Sequence, residues 1–139
     1  MFRKILIAYD GSMRANNAYD VALGLAKKCI AEIHVVAVIE RAPEFAEEVQ
    51  TESAVERARE HLQKQFAHLT TRAISAGQGP HFHIKTGHPV EEIIRVADEH
   101  RIDLIVLGHR GHGLFERWLP GSVSRKIIAD SHCAVMVVR

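Results

Sequence analysis

Cysteine is scarce in this chain. Only two occur, Cys29 and Cys133 in 139 residues, too few for the disulfide framework that holds small secreted domains together. Long apolar runs are missing as well, and none approaches the ~20 residues a helix needs to cross a bilayer. The opening, Met1 to Asp10, has a charged start, but its apolar stretch is only Ile5 to Tyr9, too short for the core of a secretory leader. A charge excess of either sign is absent too. Eighteen Lys and Arg face seventeen Asp and Glu, a formal net charge of +1, whereas bulk nucleic-acid binding usually shows a strongly basic domain. These absences predict a cytoplasmic protein with neither nucleic acid nor membrane as a partner.

What remains is an ordinary globular composition, 47% hydrophobic and 25% charged. A chain of this length suits a single domain spanning 1–139, large enough to bury about two-thirds of the surface its unfolded form exposes. Histidine is abundant, with ten residues, and invites a metal reading. His81 and His83 have strand spacing and share one face. Nothing near them in sequence supplies a third ligand at a recognisable spacing, and no His-x-x-x-His pair occurs. The expectation is therefore polar residues on an edge strand and no protein metal site. His61, His68 and His100 lie among charged helix residues and read as solvated surface.

Apolar runs alternate with helical periodicity along the whole chain. Ile5 to Tyr9 reads as a strand closed by Asp10-Gly11-Ser12. Ala15, Ala18, Ala22, Leu25 and Cys29 then recur at spacings of three and four, one face of a helix. Ile33 to Ile39 is a second strand, and Val55, Ala58, Leu62, Phe66 and Leu69 mark a second helix, ended by Gly77-Gln78-Gly79-Pro80. His81 to Lys85 alternates like a half-exposed edge strand. Pro89 sits near the first turn of a third helix, with Glu91 and Glu92 toward its positive dipole end and Val90, Ile93, Ile94 and Ala97 as its stripe. Leu104 to Leu107, Val123 to Ala129 and Ala134 to Val138 complete the series as strand, helix and strand. The pattern predicts an α/β fold: an open parallel five-stranded sheet in order 3-2-1-4-5 with helices on both faces.

Ligands of such sheets bind beyond the carboxyl ends of the strands where the order reverses, here between the first strand and the fourth. Two polar, glycine-bearing strand exits fall there, Asp10-Gly11-Ser12 and Gly108 to Gly111. Basic residues crowd the second one: Arg110, Arg117, Arg125 and Lys126 against Glu116 alone within 108–126. Gly121-Ser122 then opens a helix, whose N-terminus offers unpaired N–H groups and a positive dipole end. An anion, phosphate above all, is the expected occupant. The loop is no Walker A motif, since no Gly-Lys-Ser/Thr follows, and it lacks the third glycine of the dinucleotide fingerprint.

Gly108-x-x-Gly111-x9-Gly121-Ser122 with Asp10 after the first strand resembles the nucleotide-binding pattern of the universal stress protein family. Ala8-Tyr-Asp-Gly-Ser12, Trp118 to Ser124 and Val135-Met-Val-Val-Arg139 resemble it also, and the match spans the chain. The resemblance implies a Rossmann-like or flavodoxin-like, ATP-binding, usually dimeric stress protein. It implies Asp10 at the ribose, with Ala8 and Tyr9 bordering the pocket, Val38 at the adenine edge and Leu107 against base or ribose. It assigns the phosphates to the backbone of Gly108, His109, Arg110 and Gly111 and of Gly121, Ser122 and Val123. AMP or ADP are alternatives to ATP, and Mg²⁺ would arrive with the nucleotide. For Asp10 a turn or capping role competes with the binding role, and for Val38 and Leu107 ordinary core packing does.

The leading functional expectation is a nucleotide-dependent sensor or switch in a stress response, acting on an unidentified protein partner. An ATP-dependent hydrolase or phosphotransferase using the same site is the alternative. Phosphoryl transfer needs a positioned nucleophile, and residues 104–126 offer Glu116 as their one carboxylate, so no catalytic residue is named. A receiver-like or flavin-binding domain ranks lower; its acidic cluster is reduced here to Asp10. Ala134 to Val138, apolar and last in the sheet order, is expected at an edge that pairs with a second copy, because an unprotected apolar edge is an aggregation hazard.

Overall fold

The computed structural model describes residues 1–40, 52–109 and 122–139. Nine elements alternate along it: β1 (Lys4–Ala8), α1 (Met13–Cys29), β2 (Glu32–Glu40), α2 (Glu52–Ser75), β3 (His81–Gly87), α3 (Pro89–Glu99), β4 (Leu104–Gly108), α4 (Ser122–Asp130) and β5 (Ala134–Val138). The strands form one sheet in the order β3-β2-β1-β4-β5. Every pairing is parallel, the expected Rossmann-like arrangement. β1 is central, and its Ile7 pairs with Val35 on one side and Val106 on the other.

Strand alternation divides the core into two layers. Ile5 and Ile7 of β1, Ile33, Val35, Ala37 and Ile39 of β2, and Leu104 and Val106 of β4 pack under α1 and α2. Leu6, Ala8, Val36, Val38, Ile105 and Leu107 point the other way, under α3 and α4. Both faces of the central strands are therefore buried, which is why they read as continuous apolar runs. Each fully buried Ile or Leu stabilises the fold by roughly 1.5–3 kcal/mol. The helices carry matching stripes: Ala15, Ala18, Ala22 and Ala26 on α1, Leu62, Phe66, Leu69 and Ala73 on α2, and Val90, Ile93, Val96 and Ala97 on α3 are buried. Small alanines let α1 lie close to the sheet.

Helix ends follow the local chemistry. Ser12 caps α1, its Oγ accepting the Ala15 N–H at 3.1 Å. At the other end Ile30 takes the left-handed conformation, φ 55°, a place usually held by glycine. Pro89 starts α3, with Glu91 and Glu92 in its first turn. β3 and β5 are the two edges. At the β5 edge the Val138 carbonyl accepts the His109 N–H at 2.8 Å. The main chain of Val138 therefore faces β4, and strand alternation turns that of Val137 to the open side.

Candidate functional site

The strand order reverses between β1 and β4, and open sheets of this kind bind ligands beyond the carboxyl ends of the strands at that point. β1 delivers Tyr9, whose N–H donates to the Val36 carbonyl at 2.8 Å, and then a tight turn. Asp10 is buried at 4% exposure, and its Oδ1 accepts the Ser12 N–H at 2.9 Å. Gly11 between them has φ 83°, a left-handed backbone that glycine adopts without strain. An added Cβ there would approach the Gln65 amide to 2.9 Å. The turn-forming role of Asp10 is thus real: it positions the Ser12 amide, and Ser12 in turn caps α1.

The twelve residues picked out in the sequence fall into separate groups. Ala8, Val38 and Leu107 are buried in one apolar cluster on the α3/α4 face, with Val123 of α4 packed against it. Tyr9 belongs to the opposite layer. Its hydroxyl pairs with Asn16 Oδ1 at 3.1 Å, its ring centre is 6.3 Å from that of Phe66, and burial is the main cause that pushes its phenol pKa up. Its side chain thus borders α1 and α2 rather than the apolar floor beneath α3 and α4. Gly108 ends β4 against α1, since an added Cβ would lie 2.7 Å from the Arg14 carbonyl carbon. His109 follows, tied by its N–H to β5. Ser122 is the first residue of α4, as its spacing predicts. Arg110, Gly111 and Gly121 lie outside the described residues.

One polar group escaped the sequence reading. At the opposite, amino edge of the sheet, Glu32 and His34 of β2 and His81 and His83 of β3 project to the α3 side, and His100 caps the end of α3. His34 is buried at 3% exposure. Its Nδ1 lies 3.0 Å from His83 Nε2, and its Nε2 lies 2.7 Å from Glu32 Oε1. The His34 ring centre is 4.7 Å from that of His81 and 5.1 Å from that of His100, while His83 and His100 are 4.5 Å apart. His100 is half-buried here rather than solvated surface; His61 and His68 are exposed as expected. The period-two pairs Glu32/His34 and His81/His83 were the available signal. Only the β2–β3 register, which sets His34 opposite His81 and Val36 opposite His83, joins them.

A doubly wound parallel sheet with a buried carboxylate at its switch point is found in many nucleotide-binding and signalling domains. The model of the universal stress protein family matches residues 1–139, and the chain belongs to that family. It is 35% identical over 139 residues to a universal stress protein from Thermus aquaticus, each chain covered over 100% of its length. Universal stress protein UspA from Lactobacillus plantarum superposes with a TM-score of 0.87 at 22% identity, over 99% of this chain and 98% of that one. Two further solved structures are complexes with nucleotides. One is a universal stress protein in complex with cAMP (TM-score 0.72, 23% identity, covering 99% and 97%). The other, from Archaeoglobus fulgidus, is in complex with dAMP (TM-score 0.68, 21% identity, covering 99% and 98%).

Proposed function

We propose that the crevice between β1 and β4 binds an adenine nucleotide, ATP with its Mg²⁺ foremost and AMP or ADP as alternatives. Occupancy would then act as a switch in a stress response. The observation that carries this reading is the buried Asp10 carboxylate at the β1 exit, on the edge of the sheet where order reverses, with the N-terminus of α4 opening after the β4 exit. The described residues suit the group: a carboxylate accepts from sugar hydroxyls, the buried apolar cluster of Ala8, Val38 and Leu107 would floor a base, and a helix N-terminus suits phosphate. The complexes of related folds with cAMP and dAMP favour the same ligand class. In this reading Asp10 holds the ribose, and the main-chain amides of Gly108–Gly111 and Gly121–Val123 hold the phosphates.

Dimerisation through the β5 edge belongs to the same proposal. Mass spectrometry of the nucleotide that co-purifies identifies the ligand, and titration of a fluorescent ATP analogue into Gly121→Val tests the site. Loss of binding in a folded variant is expected, because the valine side chain would occupy phosphate space; unchanged affinity overturns the phosphate assignment. Steady phosphate release that Asp10→Ala abolishes would favour the hydrolase alternative.

A further inference from the structure

The histidine cluster at the amino edge of the sheet is a second, chemically distinct place. It lies at the far end of β2 from Val38, and the nucleotide reading makes no use of it. Three imidazoles from three elements converge there: His34 on β2, His83 on β3 and His100 at the end of α3, each able to present one ring nitrogen within 4.8 Å of the others. The geometry points to a zinc site, with His34 Nδ1, His83 Nε2 and a ring nitrogen of His100 as ligands and Glu32 as the carboxylate that orients His34.

Three features carry it. Tetrahedral zinc with Zn–N bonds near 2.0–2.1 Å separates its ligand nitrogens by about 3.3 Å, and His34 Nδ1 and His83 Nε2 already lie 3.0 Å apart. The 2.7 Å contact between His34 Nε2 and Glu32 Oε1 holds the proton on Nε2. That leaves the Nδ1 lone pair facing the other two rings, the carboxylate–histidine–metal arrangement that supports metal ligands. Finally, three histidines leave a fourth tetrahedral position for water, and imidazole ligands suit zinc better than magnesium or calcium.

His34 has two sides, and a second trio, Glu32, His34 and His81, gathers around its Nε2. Glu32 and His81 are exposed, at 41% and 55% for their side chains, so this outer trio is the weaker cage. The inner trio is shielded by α3. Zinc entry moves the His83 proton from Nε2 to Nδ1 and breaks the direct His34–His83 hydrogen bond.

Zinc alone, titrated into the full chain in competition with a chromogenic chelator, tests the site, with cobalt as a spectroscopic probe. One equivalent is expected, with the intense visible bands of tetrahedral cobalt. His83→Gln and His100→Ala should each weaken binding at least tenfold, and Glu32→Gln by about 10- to 100-fold. His61→Ala, exposed on α2, should leave it unchanged. Saturating zinc should also raise the unfolding temperature of the unsubstituted chain but not of His100→Ala. Absence of stoichiometric zinc, a weak octahedral cobalt spectrum, or equal affinity in all variants would overturn the assignment. The unsubstituted protein decides the matter even if a variant does not fold.

Discussion

Gly108 ends β4 so close to the first turn of α1 that a Cβ built on it would sit 2.7 Å from the carbonyl carbon of Arg14 and 3.0 Å from the amide nitrogen of Ala15. The neighbours are backbone of a capped helix, which cannot swing aside as a flexible side chain can. The glycine is thus required by packing within the protein, whatever else its amide contacts. Gly108→Ala is expected to destabilise the fold by about 1–3 kcal/mol, the usual cost of overpacking, read as a lowered midpoint in urea. A valine here would cost more, so loss of nucleotide binding in Gly108→Val would not report on a phosphate contact.

Ile30 supplies the opposite case. It ends α1 with φ 55° and is 92% exposed, so it bears the left-handed penalty of a β-branched residue, about 1–2 kcal/mol, and buries almost nothing in return. Ile30→Gly removes the penalty and gives back part of it as unfolded-chain entropy. A net gain of about 0.5–1 kcal/mol is expected, with a melting temperature higher by about 2–4 °C. An unchanged or lower melting temperature would contradict this account of the cap.

Tyr19 sets an alkaline limit. Its side chain is wholly buried, its hydroxyl donates to the Leu69 carbonyl at 2.8 Å, and burial raises its pKa from 10.0 to about 12. The folded state holds this proton more tightly than the unfolded chain does. The resulting stability is present in full below pH 10 and is lost as pH rises toward 12. Two pKa units correspond to roughly 2–3 kcal/mol. Urea unfolding across that range should show the loss, and Tyr19→Phe should abolish that part of the pH dependence while losing one buried hydrogen bond.

Val137 tests assembly. Its main chain faces the open side of β5, so Val137→Pro removes an outward donor and leaves the pairing with β4 in place. If copies join through this edge, the variant should sediment as monomer where the unsubstituted chain sediments as dimer at micromolar concentration. A monomeric unsubstituted protein rules the edge dimer out directly.

The fold was legible because both layers imprint themselves on the chain. Ile5-Leu-Ile-Ala8 and Ile33 to Ile39 are apolar at every position except His34, as strands covered on both sides must be, and the Ala15/Ala18/Ala22 spacing marks the face α1 turns to the sheet. The turn at Asp10 and the helix start at Ser122 are legible because turns and helix starts are local. Local patterns say nothing of what sits across a neighbouring strand. The role of Gly108 depends on Arg14, ninety-odd positions away, and the histidine cluster on a β2–β3 register that no short spacing encodes. His34 reads as one polar interruption in an apolar strand until the sheet sets it beside His81 and His83.

The central position of β1 has a consequence for when the β1–β4 junction comes into being. Its β2 neighbour is about thirty residues downstream, but its β4 neighbour is nearly a hundred, with Ile7 matched to Val35 and to Val106. Contacts so distant in sequence cost more loop-closure entropy to form. A growing chain can pair β1 with β2 before the β1–β4 junction exists. That junction, where the proposed site lies, forms only once β4 has docked, so a ligand bound there would report that this long-range closure has been achieved.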